Sequence, residues 1–354
     1  MRKVGFRYNL LRGGAYYAQL RALDSSTPHL RMDEAADIKS SFTGTFAPFA
    51  LDADWKLTEI NWLTDEIQPA LVINGRQHPL GVFSAATPAE SEDSGLRCVR
   101  VEAYDRGWRV RDTKTETLLF WPAGTPVLDA VAQLLTAAGI RTVFKTPSDA
   151  VFPEAREDWD VGTSFLDIIN QLLGEINYNS LRFDLSGAAI LSPASVPMSE
   201  QIAHFFDGRD ASTRLLPKIS RVTDIYSAPN VWICVCANPD KGGLMTATAA
   251  NDNPQSPLST VRRGRRICRK VQVNNIASQE ELQKYANRLR DQSMVTGETI
   301  SIETGLLPGF CVGDVTALHF GELTALCVER GIDMDLTVGG LMRHRLERVV
   351  YNLE

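Results

Sequence analysis

No run of about 18 uninterrupted apolar residues occurs in these 354 residues, so no membrane-spanning helix is expected. Catalytic signatures are missing too: there is no GxSxG, HExxH, GxxxxGK[ST] or GxGxxG. No CxxC pair exists. The six cysteines (Cys98, Cys234, Cys236, Cys268, Cys311 and Cys327) are spread over most of the chain. Cys234 and Cys236 fall in VWICVCA, where period-2 spacing puts both on one face of a strand as small core hydrophobes. Tetrahedral metal spacing is absent, and a reducing, cytosolic folding compartment fits best. The five histidines (His29, His78, His204, His319 and His344) stand far apart, none in a ligand spacing. Neither metal nor cofactor is expected. The start, MRKVGFRYNLLRGG, is positive but lacks the apolar segment of about 7–15 residues of a secretory leader, which argues against that route.

Carboxylates give no dyad either. Glu90/Glu92/Asp93 and Asp333/Asp335 sit in turn-like contexts, where solvated charge is the ordinary reading. A general acid and base would need a desolvated pocket to split their pKa values. If the chain were a cell-wall hydrolase, distant carboxylates such as Glu175 or Asp184 in a cleft would have to serve.

What the sequence does contain is β pattern. Its length implies two or three domains. Through the first 120 residues apolar and polar positions alternate, as in Ile38, Phe42 and Phe46 and in Val99, Val101 and Ala103. Asn74-Gly75 between apolar runs predicts a hairpin, because both residues tolerate positive φ. The polar stretch 87–95, TPAESEDSG, reads as a connection. Short strands at this spacing indicate a barrel or sandwich.

From about 121 to 200 the pattern becomes helical. Thr125 is placed to cap a helix with Pro126 at its first position and Gly139 stopping it. A second helix begins at Ser164, with apolar Phe165, Ile168, Ile169, Leu172 and Ile176 on one face. LRFDLSGAAIL then predicts a hairpin turning at Ser186-Gly187. Residues 201–354 return to strands (VWICVCA, RKVQVNN, ETISIET, DVTALHF), interrupted by one helix over 278–293 with a Ser278/Glu281 capping box. RHRLERVVYN reads as an edge strand guarded by its charges. Domains are therefore expected at 1–120, 121–200 and 201–354, with boundaries that can be discontinuous.

The run 251–266, NDNPQSPLSTVRRGRR, stands apart. Pro254 and Pro257 exclude a strand or helix interior, and Arg262, Arg263, Arg265 and Arg266 cluster around Gly264 in a chain of formal net charge −6. Asn251, Pro254, Pro257 and these arginines form a candidate partner-contact arm, stiffened by proline and suited to a protein surface or a polyanion. With Arg269 and Lys270 the cluster could touch nucleic acid, but the aromatic interleaving of single-strand binders is missing.

Four stretches resemble the hub proteins of phage tail tips and baseplates, a family shared with contractile injection machines. They are DEIQPALVINGRQHPLGVF; VRVEAYDRGWRVRDTK; SFLDIINQLLGEINYNSLRFDLSG; and APNVWICVCANPD through NDNPQSPLSTVRRGRR to ETGLLPGFCVGDV. The resemblance implies a β-rich α+β fold of two tail-tube-like β-barrel domains with a small α/β module between them. It implies a homotrimer that adapts a sixfold tail tube or distal tail protein to a threefold spike or tip. A lumen would pass the tape-measure protein, with DNA only in transit. The implied location is the virion tail tip, assembled in the host cytoplasm without a membrane anchor. Some relatives carry fused lytic or peptidase domains, for which these 354 residues leave no span. The readings from other classes are the cell-wall-degrading tail hydrolase and a nucleic-acid-binding module.

Overall fold

A computed structural model describes residues 2–23, 27–93, 95–195, 197–223, 228–238, 243–273, 276, 278–293 and 295–349. The chain forms two compact units, residues 1–192, 303–312 and 330–344 in one and 193–302, 313–329 and 345–354 in the other. The fold is β-rich α+β.

The first unit is built on β1 (Val4–Arg12), β2 (Ala15–Ala22), β3 (His29–Asp33), β4 (Ser40–Leu51), β5 (Leu57–Thr58), β6 (Glu66–Ile73), β7 (Arg76–Pro79), β8 (Phe83–Asp93) and β9 (Leu96–Asp105). Their order β4-β2-β1-β6-β8-β9 returns to the start through a β4–β9 ladder, from Ser41 opposite Tyr104 to Phe46 opposite Val99. This closes a six-stranded barrel. Closure removes most free edges, the feature that invites unwanted pairing. Alternation fills the interior: Phe42 and Phe46 of β4 and Val99, Val101 and Ala103 of β9 are buried, with Tyr8, Leu10 and Phe83. Tyr8 meets Phe46 edge-on at 5.3 Å, and Phe42 lies 5.7 Å from Phe83. Gly44 is required between the two phenylalanines, since a Cβ there would lie 2.9 Å from the Phe46 ring.

The Asn74-Gly75 turn joins β6 to β7 with both residues at positive φ, as the sequence predicts. The stretch 87–95 is a correction. Residues 87–93 are the outer half of β8, paired with β9 from Thr87 opposite Glu102 to Asp93 opposite Leu96, and Ser94 lies outside the described residues. The β6–β8 pairing stops at Ser84, so from Thr87 onward β8 is paired with β9 alone, Pro88 standing opposite Val101, and exposure removes the apolar alternation.

The same unit carries α1 (Gly107–Asp112), α2 (Val127–Ala137), β10 (Val143–Lys145), α3 (Phe165–Glu175), β11 (Arg182–Phe183) and β12 (Ala189–Leu191). The three short strands form their own sheet, and α2 and α3 bury Val131, Leu135, Ile168, Ile169 and Leu172 in one cluster. Ser164 caps α3 by accepting from the Leu166 amide at 3.2 Å. Thr125 does not cap α2: its hydroxyl donates to the Pro122 carbonyl, and Pro126 takes the N-cap place. Gly139 ends the helix at φ +82. Arg106 fastens this module to the barrel, forking onto Glu66 at 2.9 and 2.7 Å and donating to the Gly187 carbonyl at 2.7 Å.

The second unit contains β13 (Ile202–Asp207), β14 (Leu215–Thr223), β15 (Val231–Asn238), β16 (Gly243–Ala250), α4 (Thr260–Arg263), β17 (Cys268–Val273), α5 (Gln279–Ser293) and β19 (Val315–Phe320). It also takes the greater part of β18 (Val295–Gly305) and segments of β20 (Leu323–Asp335) and β21 (Leu341–Val349). The ladder runs β14-β18-β21-β20-β19-β13. Because β21 lies between β18 and β20, the edge assigned to RHRLERVVYN is overturned over 343–349, and 350–352 lie outside the described residues. Met342, His344 and Leu346 point inward, and the intervening arginines occupy the other face. Glu298 of β18 accepts from Arg221 of β14 at 2.6 Å and from Arg348 of β21 at 3.0 Å. Burial pushes its carboxyl up, but the two guanidiniums outweigh this and hold it below the usual range.

Within this unit β16, β15 and β17 form a separate three-stranded sheet with α5 on one face. Cys234 and Cys236 are fully buried there against Leu282 and Ala286. The edge strand β16, GLMTATAA, has no charge and no proline to deter pairing. Instead Gln279 donates to the Thr246 carbonyl at 2.8 Å and Gln283 to the Thr248 carbonyl at 3.1 Å. Carbonyls two residues apart on a strand and side chains four apart on a helix repeat at nearly the same distance, about 6 Å. Gln279→Ala with Gln283→Ala is therefore expected to cost about 1–2 kcal/mol and to open the edge to self-pairing. Light scattering on gentle warming checks it, and scattering like that of wild type would refute the clasp.

Candidate assembly surface

The sequence-nominated stretch 251–266 forms the connection from β16 to β17, which runs parallel to β15 with Val231 opposite Cys268. Ala250 at the end of β16 and Cys268 at the start of β17 both stand opposite Val231, so the connection crosses past one end of β15 from one edge of the sheet to the other, and it is short and densely bonded. Asn251 is buried; its amide donates to Ser256 Oγ at 3.0 Å, and its backbone carbonyl accepts from the Thr260 amide at 2.8 Å. Pro254 and Pro257 lie exposed in the turns between. Ser259 Oγ accepts from the Arg262 amide at 3.2 Å, starting the single turn α4, and Gly264 ends it at φ +62.

The nominated residues thus divide. Asn251 is internal, and Arg263 donates to the Ala228 carbonyl at 2.6 Å. Arg262, Arg265 and Arg266 are exposed around Val261, itself 61% exposed, and Arg269 and Lys270 are exposed on β17. The residue that fixes the crossover escaped sequence reasoning. Asn230, wholly buried, donates to the Leu258 and Arg265 carbonyls at 3.2 and 3.0 Å and accepts from the Ile267 amide at 2.7 Å. Its only signal was a polar residue directly before an apolar strand.

Carboxylates considered for catalysis are committed elsewhere. Both oxygens of Glu175 accept from Arg156, at 2.7 and 3.2 Å. Asp184 holds the β11–β12 turn, accepting from the amides of Ser186 and Ala188 at 2.9 and 2.8 Å. Asp333 and Asp335 lie on β20 opposite Arg31 and His29, within reach of Arg343 at 3.1 and 3.6 Å. That replaces their turn-like reading with a cross-strand charge ladder. Glu90 and Glu92 lie on β8, where Glu90 faces Arg97 at 3.5 Å. Among the described residues no group of His, Cys, Asp and Glu is arranged to hold a metal ion, and no helix is long and apolar enough to cross a membrane.

Cysteine chemistry follows burial. Desolvation pushes the Cys327 thiol up to about 12 and raises Cys234, whereas Cys268 is exposed. A maleimide is expected to label Cys268 within minutes and to leave Cys234, Cys236 and Cys327 unmodified until denaturant is added. Mass mapping of the labelled peptides checks this; rapid native labelling of Cys327 would contradict the packing.

A barrel with a filled interior and a small α/β module has solved counterparts. A tail protein from Neisseria meningitidis MC58 superimposes with a TM-score of 0.66 at 14% identity, over 97% of this chain and 96% of that one. The fold is that of a phage tail protein. The 43 kDa tail protein of prophage MuSo2 from Shewanella oneidensis gives a TM-score of 0.65 at 12% identity, over 97% and 98%. A prophage tail protein from Listeria monocytogenes EGD-e gives 0.57 at 11%, over 96% and 94%. No protein-family model matches the chain, and no curated protein matches its sequence. The likeness to these proteins is therefore one of fold, at 11–14% identity.

Proposed function

We propose that this chain is a structural hub of a phage tail tip or baseplate, acting without catalysis. Three copies close into a ring that adapts a sixfold tail tube to a threefold spike or tip. The ring encloses a lumen for the tape-measure protein and for DNA in transit. On this reading the β ladder of the second unit acts as a second tube-like domain, so that three chains present six. The observation that carries the reading is the end-to-end likeness to phage tail proteins, from first unit to last. The commitment of Glu175 and Asp184 to internal bonds weighs against the cell-wall hydrolase. The expected partners are a second and third copy, the tube or distal tail protein, and the spike.

Multi-angle light scattering tests it, combined with negative-stain imaging of the purified chain. A mass of three copies and a ring with a central opening are expected, since obligate ring interfaces bury about 2,000 Å² or more. A monomer at high concentration that clears peptidoglycan in a zymogram would overturn it.

A further inference from the structure

At one end of the first-unit barrel the structure leaves large apolar side chains in solvent, and one of them is conformationally costly. Register places four connections at the same end: the β1–β2 turn after Arg12, the β4–β5 turn, the β5–β6 loop, and the projecting tip of the β8–β9 hairpin. Arg12 ties the first of these to the β5–β6 loop, pairing with Asp65 at 2.7 Å, donating to the Glu59 carbonyl and lying 3.7 Å over the Tyr17 ring of β2. Tyr17 in turn bonds Thr58 at 2.7 Å. On these segments Trp55, Leu57, Leu63 and Leu96 are 76%, 68%, 93% and 63% exposed.

Trp55 occupies the left-handed position of its hairpin turn, φ +62, where glycine or asparagine is favoured. The turn itself is made by Asp52, whose carboxylate accepts from the amides of Asp54 and Lys56. Trp55 thus adds backbone strain and an indole left largely in solvent. The end is also acidic. Its cations Arg12, Lys56 and Arg97 are matched by Asp65, Asp54 and Glu90, leaving Asp52, Glu59 and Glu92 in excess. Opposite in character is the crossover of the second unit. Six cations and no carboxylate lie between Asn253 and Gln279, with Val261 exposed among them.

We propose that the acidic, aromatic barrel end of one copy receives the basic β16–β17 crossover of a second copy, with Trp55 against Val261 and Arg262. Such a contact joins unlike surfaces, and head-to-tail contacts of this kind generate rings where the rotation between copies closes. It rests on the ring reading above and names the two faces that would meet. Tryptophan and arginine are the side chains that dominate such contacts, and arginine stacks on an indole face.

The test measures association of the full chain by light scattering across a concentration series, with circular dichroism confirming the fold. Arg262→Glu with Arg266→Glu is expected to weaken association about tenfold or more. Trp55→Gly, which relieves the turn, is expected to weaken it similarly while the monomer unfolds at an equal or higher temperature. Adding Glu59→Lys and Glu92→Lys to the arginine reversals is expected to restore association. A wild type that trimerises, with variants that trimerise equally well, overturns this contact and leaves the ring reading standing. The contact also falls if charge exchange fails to restore what each reversal removed, or if Trp55→Gly loses only a different tail component. A wild type that stays monomeric overturns the ring reading and this contact together.

Discussion

Replacing Glu175 by alanine is expected to unfold the two-helix module of the first unit, at a cost of about 3–4 kcal/mol. Arg156 is inside that module, its side chain only 8% exposed, and Glu175 supplies two of its charge-assisted bonds. Asp158 supplies a third, at 2.5 Å. The guanidinium also lies 4.9 Å over the Trp159 ring, which packs edge-on to Trp121 at 5.6 Å. Truncating Glu175 leaves the guanidinium only partly paired, held by Asp158 among aromatic rings, where it cannot lose its proton. Replacing Arg156 and Glu175 together by methionine and leucine is expected to recover most of the loss, because the cost belongs to the underpaired buried guanidinium, while Asp158, 29% exposed, can be hydrated. Denaturant titration read by tryptophan fluorescence reports this module through Trp121 and Trp159. A single variant with an unchanged midpoint, or a double variant no better than the single, would show that the ion pair is not what holds the helices.

The second large effect is expected at Asp105. Its buried carboxylate accepts from the Gly107 amide at 2.8 Å and the Ser40 amide at 2.7 Å, joining the start of α1 to the start of β4. Burial pushes its pKa up to about 6, against the pull of those two amides and of Lys39. In the unfolded chain the group titrates near 4. Between these values the native state binds more protons than the unfolded one, so this group's contribution falls as pH rises from about 4 to about 6 and is constant above. The change amounts to about 3 kcal/mol. Asp105→Ala is expected to remove that slope and to leave the buried Gly107 amide and the part-buried Ser40 amide without their acceptor, costing about 2–4 kcal/mol at pH 5. Denaturation midpoints measured from pH 4 to pH 7 on both proteins check it; parallel profiles would exclude Asp105 as the source.

Much of the architecture could be read from residue order wherever a strand or helix is buried on one side. The Asn74-Gly75 turn, the alternation in β4 and β9, the cap at Ser164 and the paired Cys234 and Cys236 all belong to half-buried elements. Their pattern and their environment agree. Elements without that asymmetry were misread. The outer half of β8 is wet on both faces, so 87–93 carries the composition of a loop while bonded as a strand. Asp333 and Asp335 have turn-like neighbours, yet their partners Arg31 and His29 lie some 300 residues away in sequence. Long-range pairing of that kind leaves no local trace. The crossover was visible by its prolines and arginines, but its organiser, Asn230, acts through backbone atoms of other segments.

The aromatic packing of Tyr8, Phe42, Phe46 and Phe83 leaves the first-unit barrel solid. A solid cylinder conducts nothing, so any conduit made from these chains is bounded by their outer walls. Its bore is then fixed by how many copies surround it and is insensitive to substitutions inside the cylinder. Enlarging Gly44, for example, would weaken the fold long before it narrowed a passage.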